Sequence, residues 1–162
     1  GGHFHRHTYG LLAIHEYAVA TEDRDLMDFV KKGFDYARKL GCPLVGFFPE
    51  VIAPLYRTSE TCEVADMIAL ALKLSRAGLG DYWDAADRWV RNQFAEAQLT
   101  RTEWVYMLDS PGWSTPLAYY ETAERVVERN LGAFAGWPTA NDWSINCGIM
   151  HCCTGNPSRS LY

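Results

Sequence analysis

The sequence predicts a mainly α-helical chain built from paired helices, and three observations carry that expectation. Apolar residues recur at helical spacing, with Leu11, Leu12, Ile14, Tyr17 and Ala18 in one run and Val64, Met67, Ile68, Leu70, Ala71, Leu72 and Leu74 in another. Helix-stopping signals punctuate these runs at short intervals: Thr21-Glu22-Asp23, Gly41 ahead of Pro43, and Gly78 with Gly80. Helices joined by turns this tight fold back on one another, which gives helical hairpins, the repeating unit of an α/α barrel.

The first helix is expected from Thr8 to Thr21. Ahead of it, His3, His5 and His7 alternate in a segment read as extended, where a period of two puts all three rings on one face as a metal- or sugar-binding array; a His-rich exposed loop is the plainer alternative. A second helix runs to about Leu40 and buries Leu26, Phe29, Val30, Phe34, Ala37 and Leu40. Residues 41–58, rich in Gly, Pro and aromatics, form a loop that ends on Thr58-Ser59 as an N-cap.

The helix from Glu60 to Ala77 is apolar over most of its surface, so it belongs inside the assembly and offers a rigid mount for a site. Asp81 caps the next helix, Tyr82 to about Gln98, with Trp83, Ala86, Trp89, Val90 and Phe94 inward. Residues 102–108 alternate like a strand and predict a short β-ribbon insertion. Thr115, with Pro116 behind it, caps a helix reaching Asn130 whose charged residues form a solvated face. An aromatic loop from Gly132 to Gly148 then leads to Cys152-Cys153, and Asn156-Pro157 opens a last helix.

Composition narrows the function. A net charge of −5 without any basic stripe argues against nucleic acid as a partner. No apolar run approaches the roughly 18 residues of a membrane span, so no membrane partner is expected. Aromatics make up 14% of the chain, with six Trp and nine Tyr, which suits sugar stacking as well as core filling. The five cysteines, 42, 62, 147, 152 and 153, are odd in number and do not space as a disulfide framework. Thiols kept for metal or catalysis in a reducing, cytoplasmic compartment are the economical reading.

The chemistry concentrates in two stretches. Adjacent cysteines strain badly if bonded to each other, so Cys152-Cys153 point to a soft ligand or to partners elsewhere. Upstream, Glu60 and Cys62 stand two apart at a helix start. Together the four supply one carboxylate and three thiolates, a four-coordinate zinc set. Three buried, metal-free cysteines acting as small apolar residues are the alternative.

Glu60-Thr61-Cys62 followed much later by Cys152-Cys153-x-x-Asn156, with His5-Arg6-His7-Thr8 ahead of both, resembles the β-L-arabinofuranosidase group, glycoside hydrolase family 127. The three landmarks come in the family's order and span nearly the whole chain. The resemblance implies an (α/α)6 barrel, of which residues 1–162 would be one partial catalytic domain, truncated at both ends, because roughly a dozen helices of about 11 residues each exceed this length. It implies a retaining glycosidase in which Glu60, Cys62, Cys152 and Cys153 hold Zn2+, Cys152 is the nucleophile and His5 binds substrate.

Glu50, the only carboxylate between Gly41 and Ser59, is the candidate general acid/base; it stands among Phe47, Phe48 and Pro49, nearer to Glu60 than the family's glutamate. His7 occupies a position where the family has Asn, and Thr154-Gly155 replace two prolines. His7, Tyr106, Trp143 and His151 complete the candidate substrate pocket. Arabinofuranosides or related plant and bacterial glycans are the implied substrates. A helical protein with a purely structural zinc, or one that only binds carbohydrate, is the competing reading.

Overall fold

A computed structural model describes residues 2–53, 58–107, 117–122, 124–138 and 151–161, apart from the side chains of Met107, His151 and Leu161. It is mainly helical, and no strand occurs among the described residues. Helices α1 (Phe4–Ala20) and α2 (Arg24–Ala37, extended by a 3-10 turn Arg38–Leu40) are joined by three residues. Asp23 makes this junction: its carboxylate accepts from the backbone of Asp25 and Leu26 at 3.1 and 3.0 Å, capping α2. Leu11 lies against Gly33, and Phe4 and Leu40 share one groove, so the helices run antiparallel. This is the expected hairpin.

Helix α3 (Thr61–Arg76) is the centre of the core. Eleven of its sixteen residues are buried, and it packs against α1, against α4 (Trp83–Trp89) and against the C-terminal 3-10 segment Asn156–Leu161. Its burial on nearly every side follows from an apolar surface too wide for one neighbour to cover. An aromatic chain links its surroundings: Phe4 stacks on Phe48 with centroids 5.7 Å apart, Phe48 meets Trp89 edge-on at 5.1 Å, and Phe34 meets Tyr82 at 4.9 Å.

The loop after α2 is held by the same cluster. The Trp89 indole N–H donates to the Pro43 carbonyl at 2.7 Å, and the Gln93 amide leaves its helix to donate to Val45. That diverted bond accounts for the π-helical turn Val90–Phe94 that follows α4. Gly46 is obligatory there: its φ is +83°, and a Cβ would sit 2.8 Å from Trp89.

Several expectations fail for physical reasons. The first helix begins at Phe4 rather than Thr8, so His5 and His7 are helical. Tyr17, Phe29 and Trp83 are exposed rather than inward, because the apolar stripes of these helices are broader than the faces their neighbours cover. The ribbon expected over 102–108 is absent up to Met107; a 3-10 turn Val105–Met107 stands in its place, with no strand among the described residues to pair with. Within the span of the helix expected from Thr115 to Asn130, the described residues 117–122 and 124–130 contain only the single turn α5 (Val126–Arg129). Leu117, Tyr119 and Tyr120 ahead of it are exposed, and a helix without a packed apolar face is marginal in water. Helix α3 is N-capped at Glu60 rather than at Thr58-Ser59.

Candidate metal centre

The start of α3 and the short helix α6 (His151–Gly155) are separated by about ninety residues of chain and meet at one point. The segment 132–138 is what brings them together. Leu99 N–H donates to the Ala133 carbonyl, Gly132 N–H donates to the Leu99 carbonyl, and Ala135 N–H donates to the Ala97 carbonyl. Thr61 Oγ1 donates to the Ala135 carbonyl at 2.6 Å, and Phe134 N–H donates to the Thr154 carbonyl at 3.2 Å. Thus one strip of backbone clamps the helix carrying Cys62 on one side and the helix carrying Cys152 and Cys153 on the other.

Glu60, Cys62, Cys152 and Cys153 each direct a ligand atom to this point, all within 4.8 Å of one another. Cys62 Sγ is 3.3 Å from Cys153 Sγ, and Cys153 Sγ is 3.7 Å from Cys152 Sγ. Glu60 Oε1 lies 3.4 Å from Cys153 Sγ and 3.7 Å from Cys152 Sγ. None of the four described cysteines is in a disulfide. Glu60 is fixed at the start of α3 by a capping box, in which the Glu63 carboxylate accepts from the Glu60 backbone N–H at 2.8 Å.

These donors fit a tetrahedral ion. Bonds of about 2.3 Å to thiolate and about 2.0 Å to carboxylate require edges of about 3.8 Å between sulfurs and about 3.5 Å from sulfur to oxygen. The observed separations match these edges to within about 0.5 Å. Three soft sulfurs and one carboxylate suit zinc among the common divalent ions.

Electrostatics lower the pKa of one sulfur and raise those of the other two. A hydrogen bond from Cys153, opposed by burial and aided by one from Asn156 Nδ2 at 3.6 Å, lowers the Cys62 pKa. Cys153 is pushed up by donating to Cys62 and by burial, and Cys152 is raised chiefly by burial. A dication held by these four residues would displace the thiol protons by direct attraction. Cys62 and Cys153 are fully buried, whereas Cys152 is only partly covered.

The remaining site residues separate into two groups. His5 faces α3, its Nδ1 2.6 Å from Asp66 Oδ2, a contact that raises its pKa against the effect of burial. Glu50 is near as well, in a group with His3 and Glu60 whose ligand atoms fall within 4.8 Å of one another. His7, two residues after His5 on a helix and so turned about 200° away, is exposed and packs on Gly2 beside the α1–α2 groove. The expectation of three rings on one face is therefore corrected by the helical start of α1. Tyr106 is exposed and donates to Glu128. His151 opens α6, with its side chain outside the described residues, and Trp143 lies outside them altogether.

Two residues, Asp66 and Asn156, were not foreseen as site residues. Asp66, fully buried, accepts from Thr8 Oγ1 at 2.7 Å, from His5 and from Arg159, and so ties α1, α3 and the C-terminal segment together around the cysteines. The signal was a charge four residues after Cys62, inside the apolar run from Val64 to Leu72. His3 Nε2 lies 2.7 Å from Glu60 Oε2, and Asn156 supports Cys62. No family model, curated protein or solved structure matches the chain. Among the described residues, no helix is long and apolar enough to cross a membrane.

Proposed function

We propose that the chain carries the zinc-thiolate centre of a retaining glycoside hydrolase of the β-L-arabinofuranosidase type, within an (α/α)6 barrel, acting on a carbohydrate in a reducing cytoplasmic setting. The observation that carries this reading is the convergence of Glu60, Cys62, Cys152 and Cys153 from distant segments with Cys152 alone among the three thiols partly exposed. A nucleophile has to meet its substrate, and buried ligands do not.

Zinc, when bound, keeps the thiols ionised at neutral pH. Cys152 Sγ attacks the anomeric carbon, the carbon–sulfur bond forms as the glycosidic carbon–oxygen bond breaks, and Glu50 gives its proton to the leaving oxygen. Glu50, now a carboxylate, takes a proton from water, whose oxygen displaces Cys152 and restores the thiolate. His5, fixed by Asp66 through Nδ1, presents Nε2 for a sugar hydroxyl.

The closed set of four protein donors favours a second reading, a structural zinc with no hydrolysis, since structural sites fill all four positions. Labelling separates the two. Incubation of the zinc-loaded chain with epoxides of furanose and pyranose configuration, followed by peptide mass spectrometry, is expected to give one adduct, on Cys152, that is absent in Cys152→Ala. Absence of any adduct on Cys152, together with no turnover of aryl glycosides, contradicts the hydrolase reading and leaves the structural one.

A further inference from the structure

We propose that the chain has a second cation site, next to the cysteine centre and sharing Glu60 with it. Its donors are His3 Nε2, the Glu50 carboxylate and the second oxygen of Glu60, and their ligand atoms lie within 4.8 Å of one another. Backbone pairing sets this group in place: His3 bridges to Val51, Phe4 N–H donates to the Glu50 carbonyl at 2.8 Å, and Ile52 N–H donates to the Gly2 carbonyl at 2.9 Å.

The two oxygens of Glu60 serve different neighbours. Oε1 faces Cys152 and Cys153, while Oε2 is 2.7 Å from His3 Nε2. Glu60 is 2% exposed, yet Oε2 accepts no hydrogen bond, even from His3 at this distance. His3 Nε2 and Glu60 Oε2 thus form a close ion-pair contact outside hydrogen-bond alignment, and a cation beside them would be bound by both. A buried carboxylate oxygen left unsatisfied is costly, and a cation there satisfies it.

One imidazole and two carboxylates are harder donors than the cysteine set and suit Mn2+ or a similar first-row divalent ion. The His3 side chain is 40% exposed, and Glu50 is half-buried, so water can complete the shell. A carboxylate bridging two ions is a recurring element of two-metal sites, which place their metals about 3.5–4 Å apart. The site stands independently of the hydrolase reading. Where that reading holds, the cation and the proton compete for Glu50, so excess divalent ion opposes proton donation.

Mn2+ titrated into the zinc-loaded full chain, with free Mn2+ read by electron paramagnetic resonance, tests the proposal. The expected result is saturable uptake of one Mn2+ per chain, weakened at least tenfold in His3→Ala and in Glu50→Gln, while both variants keep the zinc of the wild type. Zinc retention reports separately on the cysteine centre and on folding. No saturable uptake by the wild type, or uptake of equal strength in both variants, overturns it and leaves His3 and Glu60 as a simple contact pair.

Discussion

Asp66 shows how much one buried carboxylate can organise. It accepts from His5, Thr8 and Arg159, three donors from two other segments, and has no exposure to water. Replacing it with Asn keeps the shape but removes the charge that faces Arg159 and His5. Asp66→Asn is expected to cost about 3 kcal/mol in chemical denaturation, in the range of breaking a buried pair from one side.

Glu63 makes the opposite case. Burial pushes its pKa well above 4.5, with the Glu60 amide pulling the other way and the neighbouring carboxylates adding to the rise. A group raised on folding contributes stability that is fully present below its unfolded pKa and is lost as pH rises through the folded value. The difference in unfolding free energy between wild type and Glu63→Gln, measured from about pH 4 to pH 8, should therefore shift in favour of Gln as pH rises. Gln retains the capping acceptor and has no proton to lose. A difference independent of pH would show that Glu63 is not perturbed by burial.

At the scale of elements, α1, α2 and α3 were legible because each has a long periodic apolar face, and the α1–α2 junction because Asp23 caps what its turn begins. Residues 102–130 misled for the converse reason. Alternation over 102–107 has no partner strand among the described residues, and the cap and charge signals around Thr115 precede Leu117, Tyr119 and Tyr120, which stay exposed. The cysteine pairs were legible as chemistry, independent of any element. Asp66 and Asn156 were not, since single polar residues have no period and their roles exist only once α1, α3 and α6 have packed.

Two element-level substitutions test the mount. Gly46→Ala forces a Cβ to 2.8 Å from Trp89 at a φ of +83°, and should lower stability by about 2 kcal/mol in thermal or chemical unfolding. Thr61→Val removes the hydroxyl that donates to Ala135 at 2.6 Å and leaves that carbonyl without this donor. The expected cost is about 1–2 kcal/mol, accompanied by weaker zinc retention in chelator competition, because the 132–138 strip no longer holds the start of α3. Loss of stability with unchanged zinc retention would detach this strip from the site.

On the scale of the whole molecule, the fold is a set of helices gathered on α3 so that a carboxylate and three sulfurs meet at its N-terminal end. Metal binding there must be linked to pH. Cys152 and Cys153 are both raised in the absence of an ion and have to lose their protons to ligate. Affinity therefore rises with pH and falls on acidification. Competition with a chromophoric chelator should show zinc held at least about tenfold more tightly near pH 8 than near pH 6.5.

The measurement that tests the central claim most directly is X-ray absorption at the zinc edge on the full chain loaded with one equivalent of zinc. The four converging side chains predict a first shell of three sulfurs at about 2.3 Å and one oxygen at about 2.0 Å, with one sulfur lost in Cys62→Ala. A shell of nitrogen and oxygen alone, or a chain that binds no zinc, would contradict the metal centre and with it the mechanism built on Cys152.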